Sequence, residues 1–219
     1  MMELLSPAGD MDALVAAVQN GADAVYLGAK SLNARMGAGN FGVDDLVRAA
    51  DYLHERGRRL YAAVNIMVKQ SELGELEGLA EQLARAGADA AIVSDPGVAR
   101  ALGQMLPSLA LHASTQMAIH NRFGVLAAAR MGASRVVLAR ELSFSEIAEC
   151  AAQGLEIEVF AHGALCSACS GQCLFSSLVG GRSGNRGMCA QPCRLPYRLE
   201  GAVRAEDRKS TRLNSSHRT

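Results

Sequence analysis

GADAVYL (21–27), GADAAIV (87–93) and GASRVVL (132–138) repeat one pattern, a Gly-Ala pair followed by an apolar run, and each comes directly after an amphipathic segment. Glycine can take the left-handed conformation that caps a helix. The apolar run then has the continuous character of a strand buried on both faces. Working outward from the three copies, strands are predicted at 3–6, 24–28, 60–66, 91–94, 109–113, 135–139 and 156–161. Helices are predicted at 11–20, 43–55, 71–86, 97–106, 121–131 and 143–153, with Asp10 and Ser143 as N-caps. Strands alternating with helices at this spacing indicate βα units on a parallel sheet. Seven strands fall one short of a TIM-like (β/α)8 barrel. Residues 197–203 could begin an eighth, with no helix after it. A doubly wound sheet is the competing architecture.

The 219 residues are 49% apolar, with 22 glycines and no tryptophan, which suits one α/β domain of residues 1–203. No apolar run is long enough for a membrane-spanning helix, so no membrane role is expected. The N-terminus, MMELLSPAGD, lacks the character of a secretory leader, and a cytoplasmic location is expected. Residues 204–219, RAEDRKSTRLNSSHRT, are polar and aperiodic. They are expected to be a disordered, non-native tail on a chain that is naturally longer. Charge is balanced overall but not locally. The segment from Cys166 to Arg204 carries Arg182, Arg186, Arg194, Arg198 and Arg204 against the single acid Glu200, on an acidic body. A cationic loop of this kind suggests an anionic ligand, or else plainly solvated arginines.

Five of the six cysteines lie between 166 and 193, in CSACSGQCLFSSLVGGRSGNRGMCAQPC. Cys166, Cys173, Cys189 and Cys193 are spaced C-x6-C-x15-C-x3-C, with Cys169 between the first two. Thiolates favour zinc, copper(I) or iron–sulfur clusters, and four of them can complete either a zinc site or a four-iron cluster. The Cys166–Cys169 spacing keeps zinc open, while disulfides are disfavoured in a reducing compartment. Cys150 lies in an amphipathic segment and reads as a small core residue.

Chemistry in a parallel barrel sits at the C-terminal ends of the strands. That rule selects Asn33, Arg35 and Asn40 after the second strand, Asn65 after the third and Asp95 after the fourth. It selects His112, Ser114, Thr115 and Gln116 at the fifth, Arg140 and Glu141 at the sixth, and Glu158 and His162 at the seventh. Each could instead be structural, for example a satisfied buried histidine at 112 or a neighbour pair at 140 and 141. GAGNFG (37–42) matches G-x-G-x-x-G but follows the second strand rather than the first, so it reads as a loop over the mouth. GGRSGNRG (180–187) combines glycines with arginines suited to phosphate or carboxylate. Phe175 and Tyr197 are the nearby aromatics that could stack a base.

EVFAHGALC (158–166), SGQC (170–173) and GGRSGNRGMCAQPCR (180–194), with SPAG (6–9), HASTQ (112–116) and ARELS (139–143), resemble the signature of the peptidase U32 family, the collagenase-like peptidases. The resemblance runs from Met2 to about Gly201. It implies a barrel in which Cys166, Cys173, Cys189 and Cys193 ligate a [4Fe-4S] cluster, with zinc as the alternative and Cys169 as a spare thiol at a position where another residue is expected. Members with this signature are associated with oxygen-independent hydroxylation of RNA bases, and relatives with quinone hydroxylation. The implied partners are tRNA or rRNA, bound largely through parts beyond this chain, and a small anionic co-substrate such as prephenate. In that reading His112, Gln116, Glu141 and His162 handle protons. Asn33, Arg35, Asn65, Arg140, Arg182 and Arg186 hold substrate. The competing activities are proteolysis, which lacks an H-E-x-x-H or G-x-S-x-G motif here, and a zinc module that binds RNA or a partner.

Overall fold

The computed structural model describes residues 2–34, 40–163, 166, 168–169 and 171–197. The expected eighth strand at 197–203 and the tail at 204–219 therefore lie, but for Tyr197, outside the described residues. Seven strands, β1 (Leu5–Pro7), β2 (Ala24–Gly28), β3 (Arg59–Val64), β4 (Ala90–Val93), β5 (Ala110–Ala113), β6 (Ala133–Val137) and β7 (Glu156–Glu158), form one sheet in sequence order. Every neighbouring pair is parallel. Between them run α1 (Met11–Gln19), α2 (Val43–His54), α3 (Gly74–Ala86), α4 (Pro96–Met105), α5 (Arg122–Arg130) and α6 (Phe144–Ala151). Among the described residues this is a TIM-like (β/α) barrel of seven strands, with β1 and β7 as the edges of the sheet.

The Gly-Ala repeats act as read. Gly21, Gly87 and Gly132 all take positive φ, at 94°, 68° and 92°, and each stops a helix before the next strand begins. Asp10 and Ser143 accept hydrogen bonds from Ala13 N and Glu146 N, as N-caps should. Helices bury one stripe each. On α2 this stripe is Leu46, Ala49, Ala50 and Leu53, and on α3 it is Leu76, Leu79, Ala80 and Leu83. A buried leucine at such a position contributes about 2 kcal/mol of transfer free energy.

Two strands end earlier than their apolar runs. β3 stops at Val64, because Asn65 turns its Oδ1 to accept Ala34 N at 2.9 Å. β7 stops at Glu158, where the chain leaves for the cysteine segment. At the opposite end of the barrel the first turn of chain is tied inward. Glu3, just ahead of β1, bonds Arg135 of β6 (2.6 Å) and pairs with Arg59 of β3.

Arg135 is the unexpected centre of the lumen. A register irregularity between Leu111 and His112 on β5 lets Leu111 pair with Ala133 and His112 with Arg135. Ser134 is the extra residue, and its Oγ donates to Leu111 O at 3.2 Å. The bulge turns Arg135 inward, where its side chain is 8% exposed. It bonds Glu3 (2.6 Å), Glu156 (2.6 Å) and Glu158 (3.5 Å), and its guanidinium lies 5.4 Å from the Tyr61 ring centre. Burial alone would disfavour its charge; the hydrogen bonds to Glu3 and Glu156 outweigh that and hold the guanidinium firmly protonated. Burial pushes the Glu158 carboxyl up, with Arg135 pulling the other way.

Replacing Arg135 with methionine is expected to destabilise the fold by about 3–5 kcal/mol, because Glu158 loses its counter-charge inside the lumen and Glu3 keeps only Arg59. Urea unfolding followed by circular dichroism checks this. An unchanged midpoint would show the ion network to be dispensable.

Candidate functional site

The loops at the C-terminal ends of the strands are locked to one another. Asn33, fully buried after β2, donates to Ala29 O at 2.5 Å and packs against Gly28, where a Cβ would lie 2.7 Å from its Cγ. Asp95 caps α4 through Gly97 N (2.8 Å) and Val98 N (3.2 Å), and also accepts Val68 N (3.1 Å) from the preceding loop. Buried Ser114 caps the 3-10 turn at Thr115–Met117, and Thr115 Oγ1 donates to Leu138 O at 3.3 Å. Asn33 and Asn65, read as substrate ligands, thus hold the rim in shape. Arg35 and the glycines at 37 and 39 lie outside the described residues.

The cysteine segment is seated on this rim at two glycines. A Cβ on Gly171 would come within 2.3 Å of Gln116 O, and one on Gly187 within 2.7 Å of Ala34 C; both glycines have positive φ. Asn185 donates to Gly171 O, which ties the two seats together. Arg186 reaches Met67 O at 2.5 Å and Glu72 Oε1 at 2.5 Å. Expected to hold an anion, Arg186 instead fastens the loop to the β3–α3 connection, and its charge is already met by Glu72. Arg182 is exposed and donates through Nε to Met188 O (3.2 Å). A short helix, α7 (Phe175–Gly180), carries buried Ser176, whose Oγ accepts Ala190 N at 2.9 Å. Phe175 and Tyr197 face each other at 6.0 Å.

Substituting alanine for Gly171 or Arg186 is expected to release this segment while leaving the barrel intact. Trypsin should then cut between residues 172 and 194 at least about tenfold faster, with an unchanged far-ultraviolet spectrum. Equal cleavage rates in both variants and wild type would mean that the seats do not hold the segment.

Cys166, Cys169 and Cys189 are exposed, and Cys173 and Cys193 are half-buried. Arg140 Nη2 donates to Cys166 Sγ at 3.1 Å, and its guanidinium lies 5.2 Å from the Phe160 ring centre. Gln191 N donates to Cys189 Sγ at 3.4 Å. Gly184 packs beside both Cys189 and Cys173, where a Cβ would lie 3.8 Å from Cys189 Sγ and 3.7 Å from Cys173 O. Backbone and guanidinium donors to sulfur are what a group carried on thiolates requires, since they offset its negative charge. His162 is exposed, four residues before Cys166.

A second constellation was not read from the sequence. His120 Nε2 lies 3.5 Å from Glu141 Oε2 and 3.5 Å from Cys169 Sγ. Among the described residues, this is the one set of three metal-ligating side chains whose donor atoms lie within 4.8 Å of one another. Glu141 had been selected by its place after β6. His120 carries no strand-end signal, because it follows a 3-10 turn.

His112 lies elsewhere. It is 3% exposed and packs edge-on against Tyr61 at 4.7 Å between ring centres. It lines a cavity of about 240 Å3 with Arg59, Asp89, Arg135 and Glu156, residues at the N-terminal ends of their strands. The alternation of β5 sends His112 into the lumen with Ala110, below the mouth. Burial, reinforced by the charge of Arg135, lowers its pKa from 6.5 to about 4, so it is neutral near pH 7. Burial likewise pushes Tyr61 up to about 12.

An unfolded chain takes up this proton near pH 6.5, whereas the folded chain resists until about pH 4. The stability tied to neutral His112 is thus fully present above about pH 6.5 and is lost as pH falls toward 4. His112→Phe keeps the aromatic contact and removes the titration. Its loss of stability between pH 7 and pH 4 should be smaller than that of wild type by about 3 kcal/mol. Parallel curves in urea unfolding would contradict this.

The sequence model of peptidase family U32 matches residues 9–218, a range that runs into the polar C-terminal segment. A tRNA hydroxylation protein P of Helicobacter pylori is 39% identical over 90% of this chain and 47% of its own. A 23S rRNA 5-hydroxycytidine synthase of Escherichia coli is 40% identical over 91% of this chain and 30% of its own. A collagenase of Porphyromonas gingivalis is 34% identical over 90% of this chain and 50% of its own. The chain thus spans half or less of the length of these relatives. Among solved structures, a U32 peptidase superposes with a TM-score of 0.60 at 16% identity, covering 73% of this chain and 67% of that one.

Proposed function

The chain belongs to peptidase family U32, and from that premise we propose that it is the barrel part of an enzyme that hydroxylates a base in transfer or ribosomal RNA. The observation that carries the reading is that relatives named for tRNA and rRNA hydroxylation match across the barrel, the rim and the cysteine segment together. In this reading Cys166, Cys173, Cys189 and Cys193 hold a [4Fe-4S] cluster. Fit is supported by the donors that reach Cys166 and Cys189. When bound, such a cluster supplies one-electron transfer.

The chain's own residues supply the surroundings. Arg140 lays positive charge against Cys166. Arg182, exposed beside the segment, has no carboxylate partner among the described residues and would meet an anion, such as RNA phosphate or a small co-substrate of the prephenate kind, whereas Arg186 is committed to Glu72. His162, exposed ahead of the first cysteine, is the proton carrier in this reading. Gln116 lies under Gly171, so its backbone supports the segment. No helix among the described residues is long and apolar enough to cross a membrane. A cytoplasmic enzyme acting on RNA is consistent with that.

Proteolysis is the second reading, favoured by the collagenase relative and by the contact of Cys169 with His120. The geometry weighs against it. Glu141 and Cys169 both approach His120 Nε2, whereas in a nucleophile–histidine–acid relay the acid holds the opposite ring nitrogen.

Nucleoside mass spectrometry of tRNA and rRNA decides the matter. Cells lacking the full-length protein should lose one base that carries an added oxygen. Wild type should restore it, and the Cys173→Ser variant should not. Identical nucleoside profiles in both RNA classes, with and without the protein, would overturn the reading.

A further inference from the structure

We infer that His120, Glu141 and Cys169 form a binding site for a divalent cation of the zinc type, separate from the four-cysteine set. This goes beyond the hydroxylase reading and does not depend on it. The donor set combines imidazole, carboxylate and thiolate, which suits zinc.

The separations fit one ion. Zinc bonds of about 2.0–2.3 Å define a tetrahedron whose edges are about 3.3–3.8 Å. The distances from His120 Nε2 to Glu141 Oε2 and to Cys169 Sγ are both 3.5 Å. With three protein ligands, the fourth position is left to water or to a substrate oxygen, the arrangement of catalytic rather than structural zinc.

A second observation concerns the imidazole itself. His120 Nδ1 lies 2.7 Å from Ala118 O. A carbonyl can only accept, so Nδ1 donates to it, and Nε2 is the ring nitrogen turned toward Glu141 and Cys169. Metal-binding histidines are characteristically oriented in this way, through the nitrogen that does not bind the metal. The carbonyl belongs to a residue held at φ 55°, a conformation that costs a non-glycine residue energy and that gathers at functional sites.

The three ligands are brought together by the backbone, not by flexible side chains alone. Ala139 N donates to Ile119 O at 3.0 Å, which fixes the His120 turn beside the end of β6 and hence beside Glu141. Gly171, pressed on Gln116, sets Cys169 over the same turn, and Gln172 N returns to Cys169 O at 3.2 Å. A salt bridge between His120 and Glu141 alone would leave the approach of the thiol unexplained.

The test uses the full-length protein purified without oxygen, with zinc and iron measured by mass spectrometry and Co2+ titrated as a spectroscopic probe. One zinc per chain is expected in wild type. His120→Ala, Glu141→Gln and Cys169→Ser should each lower it to below about a tenth, with iron and the far-ultraviolet spectrum unchanged. Bound Co2+ should show a thiolate charge-transfer band that disappears in Cys169→Ser. Zinc content equal in wild type and all three variants overturns the inference. So does zinc lost in Cys173→Ser but kept in His120→Ala, and so does a wild type that binds neither zinc nor Co2+. Zinc present at this site without iron would leave the inference standing and sink the cluster reading instead.

Discussion

The contact between Arg135 on β6 and Glu3, just ahead of β1, links the two ends of the described sheet across the lumen. A parallel cylinder is normally closed by backbone hydrogen bonds between its last strand and its first. Among the described residues no ladder joins β1 to β7, and side chains inside the lumen link them. Arg135 of β6 reaches Glu156 and Glu158 on β7 and Glu3 just before β1, while Glu3 also pairs with Arg59 on β3. The partners are 132 residues apart in sequence, so this link can form only after nearly the whole sheet has been laid down. Small side chains at Ala24, Ala90 and Ala110 leave room for the guanidinium and for Tyr61 beside it.

The two ends of the barrel have accordingly different characters. Charge at the N-terminal end is neutralised internally, and His112 stays neutral within it. At the other end the polar residues divide into two groups. Asn33, Asn65, Asp95 and Ser114 are occupied with each other's backbones and make the loops rigid. Arg140, Glu141, His120, His162 and the thiols form a layer above them, supplied by loops that follow β5, β6 and β7. A rigid lower tier carrying a chemically rich upper tier is how a reactive set is held in place by a scaffold built for other reasons.

Much of this was legible in the sequence, because the period of the apolar runs and the Gly-Ala stops are local signals. The first seven predicted strands and all six predicted helices are present, and the ends differ by a few residues where side chains such as Asn65 capture the chain early. What stayed hidden depended on contacts distant in sequence. The bulge at Ser134 cannot be seen in GASRVVL, yet it decides that Arg135 faces the lumen. His112 was placed at the mouth because a strand end was counted without its alternation. Arg186 looked like an anion ligand because nothing near it in sequence says that Glu72, 114 residues earlier, is its partner. His120 belongs to no recognisable spacing pattern; only folding brings Cys169 and Glu141 to it.

The order of the elements along the chain also sets an order in time. All seven strands precede Cys166, and both seats for the segment, at Ala34 and Gln116, are synthesised long before Gly187 and Gly171 arrive to occupy them. A ribosome releasing this polypeptide therefore delivers five of its six cysteines after both seats have been synthesised. A chain that failed to build those seats would display its cysteines with nothing to dock them.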